Sequence, residues 1–142
     1  MRLSQASDFA LRILMFLGQT DEPQTVDKLS KALGLAKSHV MKLVAQLART
    51  GLIEATRGRG GGIRLLKTQD SIRIGDVVRA FEPDMGVVAC LKSEPCGCVF
   101  LPRCALKTAM NGAAEAFIEH LNQQTLADML HGTQIVAKPS GQ

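Results

Sequence analysis

The sequence predicts a mainly α-helical fold: a winged helix-turn-helix DNA-binding domain with a small two-stranded β-wing, followed by a long dimerisation helix. Three observations predict it. Two helical segments meet at Gly34, two short apolar strands surround a glycine-rich turn directly after them, and apolar residues recur every three or four positions beyond residue 105.

The first three helices are expected between residues 4 and 51. Residues 4–18 have apolar side chains near helical spacing, and a second helix is expected over residues 25–33, where Gly34 ends it. A third helix starting at Ala36 or Lys37 would direct four apolar side chains inward: Val40, Leu43, Val44 and Leu47. Two helices joined by a short glycine-containing turn form a helix-turn-helix.

A β-hairpin is expected directly after the third helix. Its strands are Leu52 to Thr56 and Ile63 to Leu66, and the turn between them contains four glycines together with Arg57 and Arg59. A hairpin in this position is the wing of a winged helix.

The rest of the chain is expected to be a short helix, a loop and two further helices. Ile74 to Phe81 is the short helix, residues 86–104 form a loop rich in cysteine, and a last short helix covers Leu126 to His131. The long helix, from Ala105 to about Leu121, has an apolar stripe that would pack against a second copy in a homodimer or, alternatively, against its own domain. The stripe comprises Leu106, Met110, Ala113, Phe117 and Leu121.

The domain boundaries that follow are 1–82 (DNA binding), 83–104 (cluster-binding loop), 105–131 (dimerisation and C-terminal helices) and 132–142 (flexible tail).

Charge is divided unevenly along the chain. Residues 1–67 contain eleven Lys and Arg against five Asp and Glu, a net charge of +6, whereas residues 68–142 contain six against eight, a net charge of −2. A basic front half favours a polyanion such as nucleic acid as partner, although an ordinary uneven surface gives the same numbers. No secretory leader or membrane-spanning segment is recognisable, so a cytoplasmic location with no membrane partner is expected.

The candidate DNA-reading residues lie on the third helix and the wing. The N-terminal residues of the second helix of a helix-turn-helix contact bases and phosphates in the major groove, and arginines of a wing suit a narrow minor groove. These positions are Lys37, Ser38, His39, Lys42, Arg57 and Arg59. Singly, each has a structural alternative, such as Ser38 capping the helix or the lysines forming a solvated face. Their order along the chain favours double-stranded DNA as partner.

Four cysteines lie within fifteen positions: Cys90, Cys96, Cys98 and Cys104. Closely spaced thiolates select zinc or iron–sulfur clusters, and the two close pairs typical of structural zinc are absent from this spacing. Three cysteines with one non-thiolate ligand, zinc, and free thiols without metal all remain open on spacing alone. No nucleophile–base pair or carboxylate dyad is visible, so no enzyme activity is predicted.

The whole pattern resembles the iron–sulfur winged-helix repressor family of the NsrR, RirA and IscR type, to about residue 130. The matching stretches are Met1–Ser4, Asp8–Arg12, Lys37–Lys42, Val44–Leu52, Arg57–Leu65, Ile72–Arg79, Glu82-Pro83, the cysteine loop and Thr125–Asp128. Within the family, the phrase over Ile72–Arg79 and the Thr-Leu-Ala-Asp near the end are similar to the nitric-oxide-sensing branch. Lys107 stands where the cluster-assembly branch has a histidine ligand.

The resemblance implies a homodimeric repressor that binds a palindromic operator and loses DNA binding when nitric oxide reacts with its iron–sulfur cluster, 4Fe–4S being favoured over 2Fe–2S. It implies Cys90, Cys98 and Cys104 as ligands, with Asp8 of the other subunit as the fourth. Two departures leave alternatives. The gap between Cys90 and Cys98 suits the iron-regulator branch, and Cys96 could replace Cys98 as ligand.

Three other functions fit part of the pattern. A regulator of the same family could respond to iron or cluster supply instead of nitric oxide. An electron-transfer iron–sulfur protein would use the cysteines but has no need of the basic wing, and a zinc-stabilised DNA-binding module would have no sensing role.

Overall fold

The computed structural model describes residues 2–92 and 94–136. The described part contains six α-helices and one antiparallel sheet of two strands. Their bounds are α1 Gln5–Gly18, α2 Val26–Leu33, α3 Lys37–Arg49, β1 Ile53–Thr56, β2 Gly62–Leu65, α4 Ile74–Phe81, α5 Ala105–Asn122 and α6 Leu126–Leu130. Short 3₁₀ turns add Gln69–Ser71 and Ala89–Leu91. The structure therefore confirms the predicted winged-helix fold. The predicted flexible tail lies outside the described residues from position 137 onward.

The helix-turn-helix forms where its local sequence predicts it. Thr25 caps α2, its side chain accepting a hydrogen bond from the Lys28 amide at 3.1 Å. Gly34 ends the helix with φ 67°, a left-handed conformation that favours glycine. All four inward side chains predicted for α3 are buried, so the exposed side of this helix is set by its packing.

α1 lies at the centre of the core. It packs against α2, α3, α4, α6 and β2, and its most buried apolar residues are Ala10, Ile13, Leu14 and Leu17. Leu11 and Met15, also on this helix, are only half-buried. A helix surrounded on several sides buries more than one stripe, so helical spacing alone does not define its inward face.

The wing is an antiparallel hairpin in which Ala55 pairs with Ile63. Its buried side chains, Ile53 and Ile63, face the core. The structure adds a partner that the sequence did not predict: the amides of Gln24 and Ile63 each donate to the other residue's carbonyl at 2.8 Å. The base of the wing is therefore connected to the segment before α2, and its turn projects into solvent.

The rear half is assembled on α4. This helix contacts both α1 and α5, and α5 buries Ala114 and Ile118. The apolar stripe predicted for dimerisation does not include these two buried residues. Within it, Leu106 and Ala113 are exposed, and Met110, Phe117 and Leu121 are half-buried. No helix in the described ranges is both long and apolar enough to cross a membrane.

Candidate nucleic-acid interface and cysteine loop

The helix α3 is called the reading helix below. Its N-terminal turn presents polar side chains to solvent. Lys37, Ser38 and Lys42 are exposed, and His39 is half-buried. The N-cap is Ala36, which provides no side-chain hydrogen bond, so Ser38 is not the cap of this helix. The structural alternative for Ser38 is therefore wrong, and its hydroxyl lies on the exposed face.

One carboxylate pairs with two ammonium groups beside this turn. Asp27 on α2 lies 2.6 Å from the Lys37 Nζ and 2.7 Å from the Lys31 Nζ. Hydrogen bonds from Lys31 and then Lys37 lower the pKa of Asp27 from 3.8 to about 2, and Asp27 in turn raises the pKa of Lys31. The group keeps one net positive charge at the start of the reading helix.

A chain of side-chain contacts connects the reading helix to Asp8 on α1. The His39 ring packs edge-on against Phe9, with ring centroids 5.9 Å apart, and the Arg12 guanidinium lies 5.3 Å from the Phe9 ring centroid. Arg12 also binds Asp8 through two contacts, at 2.9 Å and 3.1 Å. The predicted reading residue His39 and the predicted ligand Asp8 therefore lie at opposite ends of one contact network.

The wing places its two arginines on the exposed turn between β1 and β2. Between the wing and the reading helix is an open groove of about 520 Å³. One wall carries Met41 and Ala45, and the other carries Ala55 and Arg57. Met41, exposed one turn after Ser38 and beside Lys42, was not among the residues that the sequence singled out.

The cysteine loop, residues 83–104, holds all four thiols. Cys90 lies in a 3₁₀ turn, Cys104 directly precedes α5, and Cys96 and Cys98 lie on irregular backbone. All four are half-buried and none is in a disulfide. Within the described ranges, no three His, Cys, Asp or Glu side chains lie close enough together to bind a metal ion. The predicted ligand set stays a prediction.

The donor set nevertheless fits a soft metal group in its chemistry. Thiolates are the preferred ligands of iron–sulfur clusters, and here four free thiols share one loop without a regular sheet or long helix. The residues of such a loop can converge on a bound group without breaking a packed core, because the buried core cluster contains none of those that the structure describes.

Glu82 connects the start of the cysteine loop to the start of α1. Its Oε1 accepts hydrogen bonds from the Ser4 amide at 2.7 Å and from the Ser7 hydroxyl at 2.5 Å. Ser7 is fully buried and directly precedes Asp8. Sequence analysis named Glu82 only within a stretch that matches the family and could not predict this contact, because it joins residues more than seventy positions apart.

Comparison with known proteins gives consistent matches over most of the chain. The model of the Rrf2 family, described as iron-dependent transcriptional regulator, matches residues 3–132. The transcriptional regulator NsrR of Geobacillus kaustophilus is 40% identical over 132 residues, which cover 92% of this chain and 90% of that protein. The NsrR of Bacillus licheniformis is 35% identical over 140 residues, covering 97% and 98%.

Two solved structures share the fold at lower identity. CymR, the global cysteine regulator of B. subtilis, superposes with a TM-score of 0.74 at 23% identity, covering 94% of this chain and 99% of that one. IscR of T. potens gives a TM-score of 0.75 at 22% identity, covering 99% and 94%. These likenesses confirm the predicted fold.

Proposed function

The chain belongs to the Rrf2 family of iron-dependent transcriptional regulators, and from that premise we propose that it is a repressor that releases its operator when nitric oxide reacts with an iron–sulfur cluster on the cysteine loop. The observation that carries the proposal is the contact of Glu82 with Ser4 and Ser7. It connects the cysteine loop to α1, the helix that packs under the reading helix.

The proposed ligands are Cys90, Cys98 and Cys104, with Cys96 as the alternative to Cys98 and Asp8 of a second copy as the fourth ligand. When bound, the cluster, 4Fe–4S in preference to 2Fe–2S, supplies iron atoms that react with nitric oxide. The half-buried thiols and the exposed side of Asp8, 48% accessible, support these assignments.

The DNA-binding role rests on the geometry of the basic side chains. The N-terminal turn of the reading helix would enter the major groove, where Ser38 and His39 face base edges and Lys37 and Lys42 neutralise phosphates. Arg57 and Arg59 on the wing would contact the adjacent backbone or minor groove. The exposure of five of these six side chains, and the half-exposure of His39, supports the assignment.

Asp8 provides the route from the cysteine loop to the reading helix. Both of its carboxylate oxygens bind Arg12 in the structure, so ligation by Asp8 requires that this ion pair open. Arg12 lies over Phe9, and Phe9 packs against His39. Exchange between a ligated and an Arg12-bound Asp8 would therefore shift the reading helix of one copy relative to that of the other without changing the fold of either, which gives two states with different DNA affinity.

A homodimer follows from the same proposal. Two reading helices bind half-sites one helical turn apart on a palindromic operator, and a small shift between them breaks that spacing. The exposed Leu106 and Ala113 and the half-buried Met110 and Phe117 leave α5 with an apolar side for a second copy.

The test is operator binding by anaerobically purified protein, followed by fluorescence anisotropy with promoter duplex before and after nitric oxide. We expect tight binding that is lost on nitrosylation, and Cys90→Ser or Cys104→Ser protein that binds weakly with or without the gas. Cys96→Ser and Cys98→Ser test the two alternatives for the third ligand, since the variant that keeps the true ligand should respond like the parent. Equal binding by the parent and all the cysteine variants, before and after the gas, would contradict the proposal.

Asp8→Ala tests the route separately. With the cluster retained, this variant should lose most of its response to nitric oxide while keeping its folded helix content. Unchanged affinity together with an unchanged response would exclude Asp8 as the connection.

A regulator that responds to iron supply is the second candidate. The description of the family as iron-dependent and the seven residues between Cys90 and Cys98 favour it. Parallel titrations of the DNA complex with nitric oxide and with an iron chelator discriminate between the two, since the physiological effector should release DNA at the lower dose.

A further inference from the structure

Met41 is a large apolar side chain on a helix whose neighbouring exposed residues, Lys37, Ser38 and Lys42, are polar. It is 58% exposed, although its neighbours Val40 and Leu43 on the same helix are buried. It follows Ser38 by one helical turn, and the exposed Ala45 follows it by another. The exposed face of the reading helix therefore contains an apolar strip beside its polar residues.

The surroundings of this strip indicate what covers it. Met41 and Ala45 form one wall of the open groove of about 520 Å³, and Ala55 lies on the opposite wall. Arg57 lines the groove, and the exposed Lys37 and Lys42 lie on the same helix as Met41. A partner that suits this surface has negative charge at its edges and an apolar group between them.

Duplex DNA has this arrangement in its major groove. Phosphates border the groove, and the 5-methyl group of thymine is the one apolar group that base pairs present there. We propose that Met41, supported by Ala45, is a specificity-determining residue that contacts a thymine methyl group in each operator half-site. This inference rests on the proposed function and deepens it, since it adds an A·T requirement at one position of the half-site.

The experiment replaces single thymines by deoxyuridine, which lacks the methyl group but keeps the same hydrogen-bonding atoms. The parent protein is first loaded with iron and sulfide under anaerobic conditions. It is then used to select duplexes from a random-sequence library. Each thymine of the selected duplex is then replaced in turn, and affinities are measured for the parent, Met41→Ala and Leu66→Ala. Leu66 is the matched control, because it is 57% exposed and lies just after β2.

At one thymine per half-site, the parent should bind the deoxyuridine duplex about four-fold more weakly, as expected for one methyl group removed from an apolar contact. Met41→Ala should bind the selected duplex more weakly and be insensitive to deoxyuridine at that thymine, while Leu66→Ala should match the parent. Because Met41 is exposed and alanine favours helices, the variant should keep the parent's helix content.

Equal sensitivity of the parent and Met41→Ala to every replacement, or a selected duplex without a sensitive thymine, overturns the inference. In that case a parent that still binds selectively and is released by nitric oxide leaves the proposed function intact. A parent that selects no duplex at all overturns both.

Discussion

The reading domain, residues 5–82, and the cysteine loop that follows it are stabilised in different ways. Of the fifteen described residues in the main hydrophobic core cluster, fourteen lie in the reading domain and the other is Leu126. The described residues of the cysteine loop contribute none, and Val99 and Phe100 of that loop are 87% and 71% exposed. The reading domain is organised by burial of apolar surface, whereas the loop has little apolar burial to define its conformation.

This difference suggests a division of roles. A domain with a closed core can present Lys37, Ser38 and the wing in one arrangement, whether or not the thiols bind anything. A loop with free thiols and few buried contacts can change conformation when a group binds to it. Glu82 lies at the boundary, where the change would be passed to α1.

The largest expected effect is on folding, from truncation in the reading domain. Leu47 on the reading helix is fully buried, so Leu47→Ala should lower the free energy of unfolding by about 2–5 kcal/mol. Val99→Ala, an apolar truncation in the exposed loop, should change it by less than about 0.5 kcal/mol. Urea unfolding followed by circular dichroism measures both, and similar losses would contradict the comparison.

The next effect lies at the junction of the two regions. Glu82→Ala removes the acceptor of the Ser4 amide and of the buried Ser7 hydroxyl, which should cost about 1–3 kcal/mol of unfolding free energy. Glu94→Ala, an exposed carboxylate within the loop, is the control and should be nearly neutral. Equal costs for the two variants would mean that the Glu82 contact does not stabilise the junction.

A smaller effect is expected on DNA binding from a single surface charge. Lys42→Ala should weaken binding across all duplex sequences and reduce the slope of log affinity against log salt by about 1. Lys107→Ala, on α5 beyond the cysteine loop, should leave the slope unchanged. Anisotropy titrations between 50 and 200 mM salt, roughly the range over which phosphate contacts weaken strongly, measure the slope. An equal reduction of the slope in both variants would contradict the assignment of Lys42 to the DNA-binding surface.

The smallest effect concerns acid stability. The Asp27 carboxyl has a pKa of about 2 in the folded chain and 3.8 as its ordinary value, because Lys31 and Lys37 bind its charged form. The contribution of this group is therefore complete above about pH 4 and is lost as the pH falls towards 2. The free energy of unfolding of Asp27→Asn should depend slightly less on pH in that window than that of the parent. Because the group is solvent-exposed, the difference should shrink in high salt, and identical curves at low salt would contradict the pairing.

Elements defined by local patterns could be predicted, and contacts between distant residues could not. The inward residues of α3 and the bounds of α4 agree with the sequence analysis, because helical spacing and nearby glycine or proline determine them. The pairing of Gln24 with Ile63, the Glu82 contact and the packing of Phe9 on His39 join segments distant in sequence. The six predicted reading residues were chosen by motif and their role stays a prediction; the exposed Met41 was not among them, because an apolar residue on a helix is ordinarily assigned to the core.

The ligand arrangement of the cysteines could not be predicted from the sequence, for a different reason. Their number and spacing predicted metal chemistry, and the family match supports it, yet their ligand arrangement depends on a bound group as much as on the chain. No hydrophobic pattern could indicate which of Cys96 and Cys98 turns inward.

Hydrogen exchange of the anaerobically purified protein, with its cysteine loop loaded with iron and sulfide and again after removal of the metal, tests the division of roles most directly. We expect slower exchange on loading over residues 86–104 and the first turn of α1, with unchanged exchange in the reading helix and the wing. Equal changes in the reading helix and the loop, or a loop whose exchange is indifferent to iron, would contradict a preformed reading domain controlled from the cysteines.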